Sequence, residues 1–139
     1  MYKLSTQFLV VEDHPAMRKF VVQTLNELGF MNITEAGDGK LAFEILNQKL
    51  MTKEPVEFVI SDWNMPHMEG IELLKLCRNT EAFKSIPFIL ATGERDQSQI
   101  IEAAKAGVSG YIIKPLAAPK IKSTIDNIFK KNNLSLRVA

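Results

Sequence analysis

The sequence predicts an α/β fold in which a parallel sheet is covered on both faces by helices. Three observations predict it. Short apolar runs rich in β-branched residues alternate with longer segments of helical period; five such pairs follow one another along the chain; and the run Phe58 to Ile60 is apolar throughout, as a central strand buried on both faces must be.

The elements follow in order. The first strand is Phe8 to Val11, and the helix after it opens at Pro15, carries Met17, Val21, Leu25 and Leu28 on one face, and stops at Gly29. A weaker second strand covers Ile33 to Ala36; the turn residues Gly37, Asp38 and Gly39 lead into a helix with Leu41, Ile45 and Leu46, and a polar loop around Lys53 to Pro55 follows. Strand three is Phe58 to Ile60 and its helix runs from about Ile71 to Arg78. Strand four is Phe88 to Ala91, with a helix from Gln97 to Ala106 closed by Gly107. Strand five is Tyr111 to Ile113. The last helix starts near Pro119, and its Ile121, Ile125, Ile128 and Phe129 form the i, i+4, i+7, i+8 stripe that docks on a sheet.

With 139 residues, 46% of them hydrophobic, the chain can bury one core. Its 17 basic and 16 acidic residues nearly cancel, so no overall charge draws it to nucleic acid or to an anionic membrane. The lone Cys77 has no disulfide partner, and no apolar run reaches the length of a signal-peptide core or a membrane span. The expectation is a cytoplasmic protein of one domain over residues 1–139, without an output domain, repeats or low-complexity tracts.

Ligands of open α/β sheets bind outside the carboxyl ends of the strands, so those ends are where chemistry is sought. Strand one delivers Glu12 and Asp13, strand three Asp62, strand four Thr92, and strand five Lys114 followed by Pro115. Carboxylates gathered at about 4 Å repel by roughly 4 kcal/mol per pair at an effective dielectric of about 20, so a cation belongs among them. Hard oxygen ligands without Cys select Mg²⁺, with Mn²⁺ a substitute. With Mg²⁺ and Lys114 the formal charges of the three acids cancel. The set suits phosphoryl transfer: a carboxylate nucleophile, a metal and an ammonium for the phosphoryl oxygens, and a hydroxyl donor in Thr92. Asp62 stands alone on a central strand and is the expected nucleophile, while Glu12 and Asp13 are paired for the metal. Gly93 leaves room beside Thr92 for a phosphoryl group.

The strings Phe8-Leu-Val-Val-Glu-Asp13, Ser61-Asp-Trp-Asn-Met-Pro-His-Met-Glu-Gly70, Thr92-Gly-Glu94 and Gly110-Tyr-Ile-Ile-Lys-Pro115 resemble the response-regulator receiver family, in particular its single-domain, CheY-like chemotaxis branch, over nearly the whole chain. The resemblance implies a flavodoxin-like (βα)5 three-layer sandwich with strand order 2-1-3-4-5, an order carried over with the family. It further implies phosphorylation of Asp62 by a CheA-like histidine kinase, with Glu12, Asp13, Asp62 and the backbone carbonyl of Asn64 around the metal, and a cis Lys114-Pro115 peptide. On activation Thr92 would move toward the phosphoryl group and Tyr111 would turn inward, remodelling the face of helix four, strand five and helix five. That face would use Gln97, Ile100, Tyr111 and Lys122 to bind a flagellar motor switch protein or another effector. Asn64 and Glu94 would tune dephosphorylation, and a phosphatase is a further expected partner. The protein would modify itself without being a turnover enzyme.

Two departures from the family pattern stand out. Glu12 occupies a place where Asp is commoner, giving a longer ligand, and Lys49 to Pro55 is longer than in similar chains, which points to a surface loop. Pro66 and Gly70 read as turn formers, Met17, Met65 and Met68 as packing residues, and His14 and His67 as exposed loop residues without a role. Trp63 is expected part-exposed, a fluorescent reporter of the metal.

Two other functions use the same residues. A phosphorelay intermediate would pass the group on to a His-containing phosphotransfer protein. A hydrolase working through an aspartyl phosphate, of the haloacid-dehalogenase kind, typically has a second Asp two residues after the nucleophile, and Asn64 stands there instead, unable to act as acid or base. Nucleotide binding lacks a Gly-rich phosphate loop.

Overall fold

A computed structural model describes residues 3–93 and 97–138, with side chains as far as Lys131. The order of elements is β1 (Phe8–Val11), α1 (Pro15–Glu27), β2 (Ile33–Ala36), α2 (Gly39–Leu50), β3 (Phe58–Asp62), α3 (Gly70–Arg78), β4 (Phe88–Thr92), α4 (Gln97–Ala106), β5 (Gly110–Ile113) and α5 (Ala118–Val138). The strands form one parallel sheet in the order β2-β1-β3-β4-β5, as the resemblance implies. Every residue of β1, β3 and β4 is buried, whereas the edge strands β2 and β5 are mostly half-buried. This is the burial a doubly covered parallel sheet requires.

Alternation along the strands divides the core in two. Leu9, Val11, Val59 and Leu90 point to the side of α2, α3 and α4, where they meet Leu46, Leu73 and Leu74. Phe8, Val10, Phe58 and Ile89 point to the other side, toward α1 and α5, where Leu25, Ile121 and Ile125 cover them. An aromatic cluster anchors that second layer: Phe8 lies 4.7 Å from Phe30 and 4.8 Å from Phe58, measured between ring centres. The apolar stripe expected on α5 is buried as read, with Phe129 partly so.

Helix ends follow their local chemistry. After α1 the backbone turns at Gly29, whose φ of 103° favours glycine, and Gly29 and Phe30 donate back to the carbonyls of Asn26 and Leu25. Gly107 closes α4 in the same way. The side chain of Asp38 caps α2 by accepting from the Leu41 N–H at 2.8 Å.

Several expectations are corrected. Leu41 is 43% exposed, because the capped start of α2 turns Gly39, Ala42 and Leu46 toward the sheet and leaves Leu41 to one side. On α1 the inward residues are Val21, Thr24 and Leu25, while Met17 and Leu28 are only half-buried; the Thr24 hydroxyl is satisfied within the helix by donating to the Phe20 carbonyl. Helix α2 includes Lys49 and Leu50, so the surface loop is residues 51–55, all exposed. Finally, β3 reaches Asp62 and β4 reaches Thr92, which places both site residues within the sheet ladder.

Candidate phosphoryl and metal site

The carboxyl ends of β1, β3 and β5 converge on one cluster. Asp62 is the last residue of β3 and is 6% exposed; Glu12, directly after β1, is 4% exposed. Lys114, directly after β5, sends its ammonium between them, with Nζ 2.9 Å from Asp62 Oδ1 and 3.9 Å from Glu12 Oε1. The Trp63 N–H also donates to Asp62 Oδ1, at 2.9 Å. Two donors therefore hold one oxygen of Asp62. Beside the cluster, the side-chain ligand atoms of Glu12, Asp13 and His14 lie within 4.8 Å of one another.

Glu12 is the most perturbed group here. Burial, then the hydrogen bond and charge of Asp62, with Asp13 adding and Lys114 opposing, push its carboxyl up to about 8. Its Oε2 is buried and has no hydrogen-bond partner. A buried anion without enough compensation takes up a proton or a cation. The donors present are hard oxygens with one imidazole, and they fit a divalent ion such as Mg²⁺.

The other expected residues are placed as follows. Thr92 ends β4 fully buried, and its carbonyl accepts the Lys114 N–H at 2.7 Å, joining β4 to β5 beneath the site. A Cβ at Gly93 would meet nothing within 4 Å, so there is open space beside Thr92. Asn64 is exposed in the loop after β3. Glu94 lies outside the described residues. Gln97 and Lys122 are exposed, Ile100 is 39% exposed, and Tyr111 is half-buried against the core with its hydroxyl oxygen shielded from solvent. The Lys114-Pro115 peptide is cis. His14 and His67 are both exposed, while Met65 is buried and Met68 packs at the core margin.

Trp63 is a correction. It is 4% exposed, because its N–H is tied to Asp62 Oδ1 and to the Ala91 carbonyl while the ring turns into the core on the α2–α3 side. Gly70 has a stricter role than a turn former: a Cβ there would collide with the Asp62 carbonyl oxygen, and the Gly70 N–H donates to the Trp63 carbonyl at 2.8 Å. The loop from Asp62 to α3 closes on itself at this point.

Arg18 went unread in the sequence. From α1 it donates to the Glu12 carbonyl at 2.8 Å and pairs with Glu35 of β2 at 3.0 Å, pinning the backbone that presents Glu12. No local signal joins residues 17 positions apart on different elements.

Residues 8–126 match the response regulator receiver domain. The chain is 45% identical over 125 residues to chemotaxis protein CheY-3 of Vibrio cholerae serotype O1, covering 90% of this chain and 92% of that one. It is 41% identical over 127 residues to chemotaxis protein CheY of Pseudomonas aeruginosa, covering 91% and 98%. Among solved structures, Vibrio cholerae CheY4 superposes with a TM-score of 0.77 at 27% identity, covering 89% of this chain and 98% of that one. A response-regulator receiver domain from Clostridium thermocellum shares the fold, with a TM-score of 0.80 at 22% identity and coverage of 93% and 98%.

Proposed function

The chain belongs to the response-regulator receiver family, as a CheY-like member, and from that premise we propose that it is a chemotaxis switch phosphorylated on Asp62 by a histidine kinase. The observation that carries the reading is the Lys114 ammonium held 2.9 Å from Asp62 Oδ1 at the mouth of the acidic cluster. With Oδ1 held by Lys114 and the Trp63 N–H, Oδ2 is the oxygen left to attack. As the oxygen–phosphorus bond forms, the phosphorus–nitrogen bond of a phosphohistidine breaks, and the leaving imidazole takes a proton from water. Lys114 then balances charge on the phosphoryl oxygens, and the Thr92 hydroxyl donates to one of them. Glu12, Asp13, Asp62 and the Asn64 carbonyl would hold Mg²⁺ or Mn²⁺, which when bound supplies neutralisation of the phosphoryl charge.

The new negative charge biases the domain between two packings, with Thr92 and Tyr111 moving together. The output is the face of α4, β5 and α5, where Gln97, Ile100, Tyr111 and Lys122 would bind a flagellar motor switch protein. Asn64 and Glu94 set the lifetime of the acyl phosphate.

Intact mass after incubation with Mg²⁺ and acetyl phosphate tests the chemistry. One added phosphoryl group, lost in Asp62→Asn and in EDTA, is expected. Absence of the adduct in wild type, with a purified histidine kinase as donor as well, would overturn it. Onward transfer to a His-containing phosphotransfer domain would replace the motor target by a relay role.

A further inference from the structure

We propose that His14 is a third side-chain ligand of the divalent ion, through Nδ1, and that it gives this centre a high affinity for borderline metals such as Ni²⁺ and Zn²⁺; the inference rests on the reading above that Glu12 and Asp13 hold a metal. His14 Nδ1 lies 3.2 Å from Asp13 Oδ1 and 4.0 Å from Glu12 Oε1. Two atoms each about 2.1 Å from one ion stand between roughly 3.0 Å apart, when adjacent, and roughly 4.2 Å apart, when opposite. Both distances fall in that interval. Independently, Glu12 Oε2 is buried without a hydrogen-bond partner among the described residues, on a side chain that is 5% exposed.

Apart from its contacts with the two acids, the imidazole makes no hydrogen bond among the described residues. His14 is the N-cap residue of α1, yet its side chain makes no capping hydrogen bond, and at 76% exposure it can rotate and be reached from solvent. The competing account is a surface hydrogen bond from Nδ1 to Asp13, of the kind that contributes under about 1 kcal/mol. The two accounts demand opposite tautomers. A hydrogen bond to Asp13 puts the proton on Nδ1, whereas ligation leaves the Nδ1 lone pair to the metal and the proton on Nε2.

Imidazole favours Ni²⁺, Cu²⁺ and Zn²⁺, while Mg²⁺ is served by oxygens. Ni²⁺ or Zn²⁺ would thus compete with Mg²⁺ for the switch. Calorimetric titration of the full chain with Ni²⁺ and with Mg²⁺ tests this in wild type, His14→Gln, Asp13→Asn and, as a control for the other histidine, His67→Gln. His14→Gln is expected to weaken Ni²⁺ by about tenfold or more while Mg²⁺ stays within about twofold; His67→Gln should change neither. In ¹⁵N-histidine spectra, saturating Zn²⁺ should shift His14 Nδ1 and leave the proton on Nε2. Equal Ni²⁺ affinity in wild type and His14→Gln, or a His14 Nδ1 that keeps its proton with Zn²⁺ bound, overturns the assignment. If Asp13→Asn binds Mg²⁺ like wild type, the underlying metal reading falls with it.

Discussion

The buried Glu12 makes the stability of the metal-free protein depend on pH in an unusual direction. Its carboxyl rises from an ordinary 4.5 to about 8 in the fold. A raised folded-state value means the native state holds a proton that the unfolded chain releases. Glu12's contribution is therefore fully present below pH 4.5 and is lost as pH rises through 8. Between pH 5.5 and 7.5 the linkage relation gives a loss of about 2–3 kcal/mol. For a chain of this length that is a fall of about 8 °C in Tm. The assay is thermal melting in EDTA at both pH values, for wild type and for Glu12→Gln, which cannot titrate. Wild type should lose about 8 °C more than the variant across this interval, and saturating Mg²⁺ at pH 7.5 should restore most of the loss in wild type alone. A wild-type loss within about 1 °C of the variant's would refute the reasoning, because Glu12 would then be ionised in the fold at both pH values.

Three further outcomes are expected. Cys77 is 1% exposed and burial pushes its thiol up to about 11, so iodoacetamide at pH 8 should leave the native protein unlabelled and modify it fully in urea; rapid native labelling would contradict its position in the core. The same shift means that its contribution to stability fades as pH climbs from about 9 toward about 11. Gly70→Ala drives a methyl group into the Asp62 carbonyl and should cost about 1–3 kcal/mol in urea unfolding while slowing acetyl-phosphate labelling; an unchanged midpoint would show that the loop yields freely. Arg18→Met releases the Glu12 carbonyl and Glu35, and should weaken Mg²⁺ by about tenfold in calorimetry with little change in Tm; unchanged affinity would mean that the Glu12 backbone is held by the sheet alone.

The order of five strands and five helices could be read from the sequence because its signals are local: β-branched apolar runs, helical spacing of apolar residues, and Gly or Pro at the breaks. The carboxyl ends of the strands were legible too, and with them Glu12, Asp13, Asp62, Thr92 and Lys114, since in a parallel sheet those ends share one edge. What distant neighbours do to a residue was not. Trp63 is buried because β4 and the packing on the α2–α3 side take it in, and Leu41 is exposed because the Asp38 cap sets the phase of α2. The Arg18 brace, the Nδ1 of His14 beside two acids and the raised carboxyl of Glu12 arise from groups that only the fold brings together. Periodicity is written residue by residue and survives in the sequence; burial and charge coupling are sums over space, and the tertiary structure decided them.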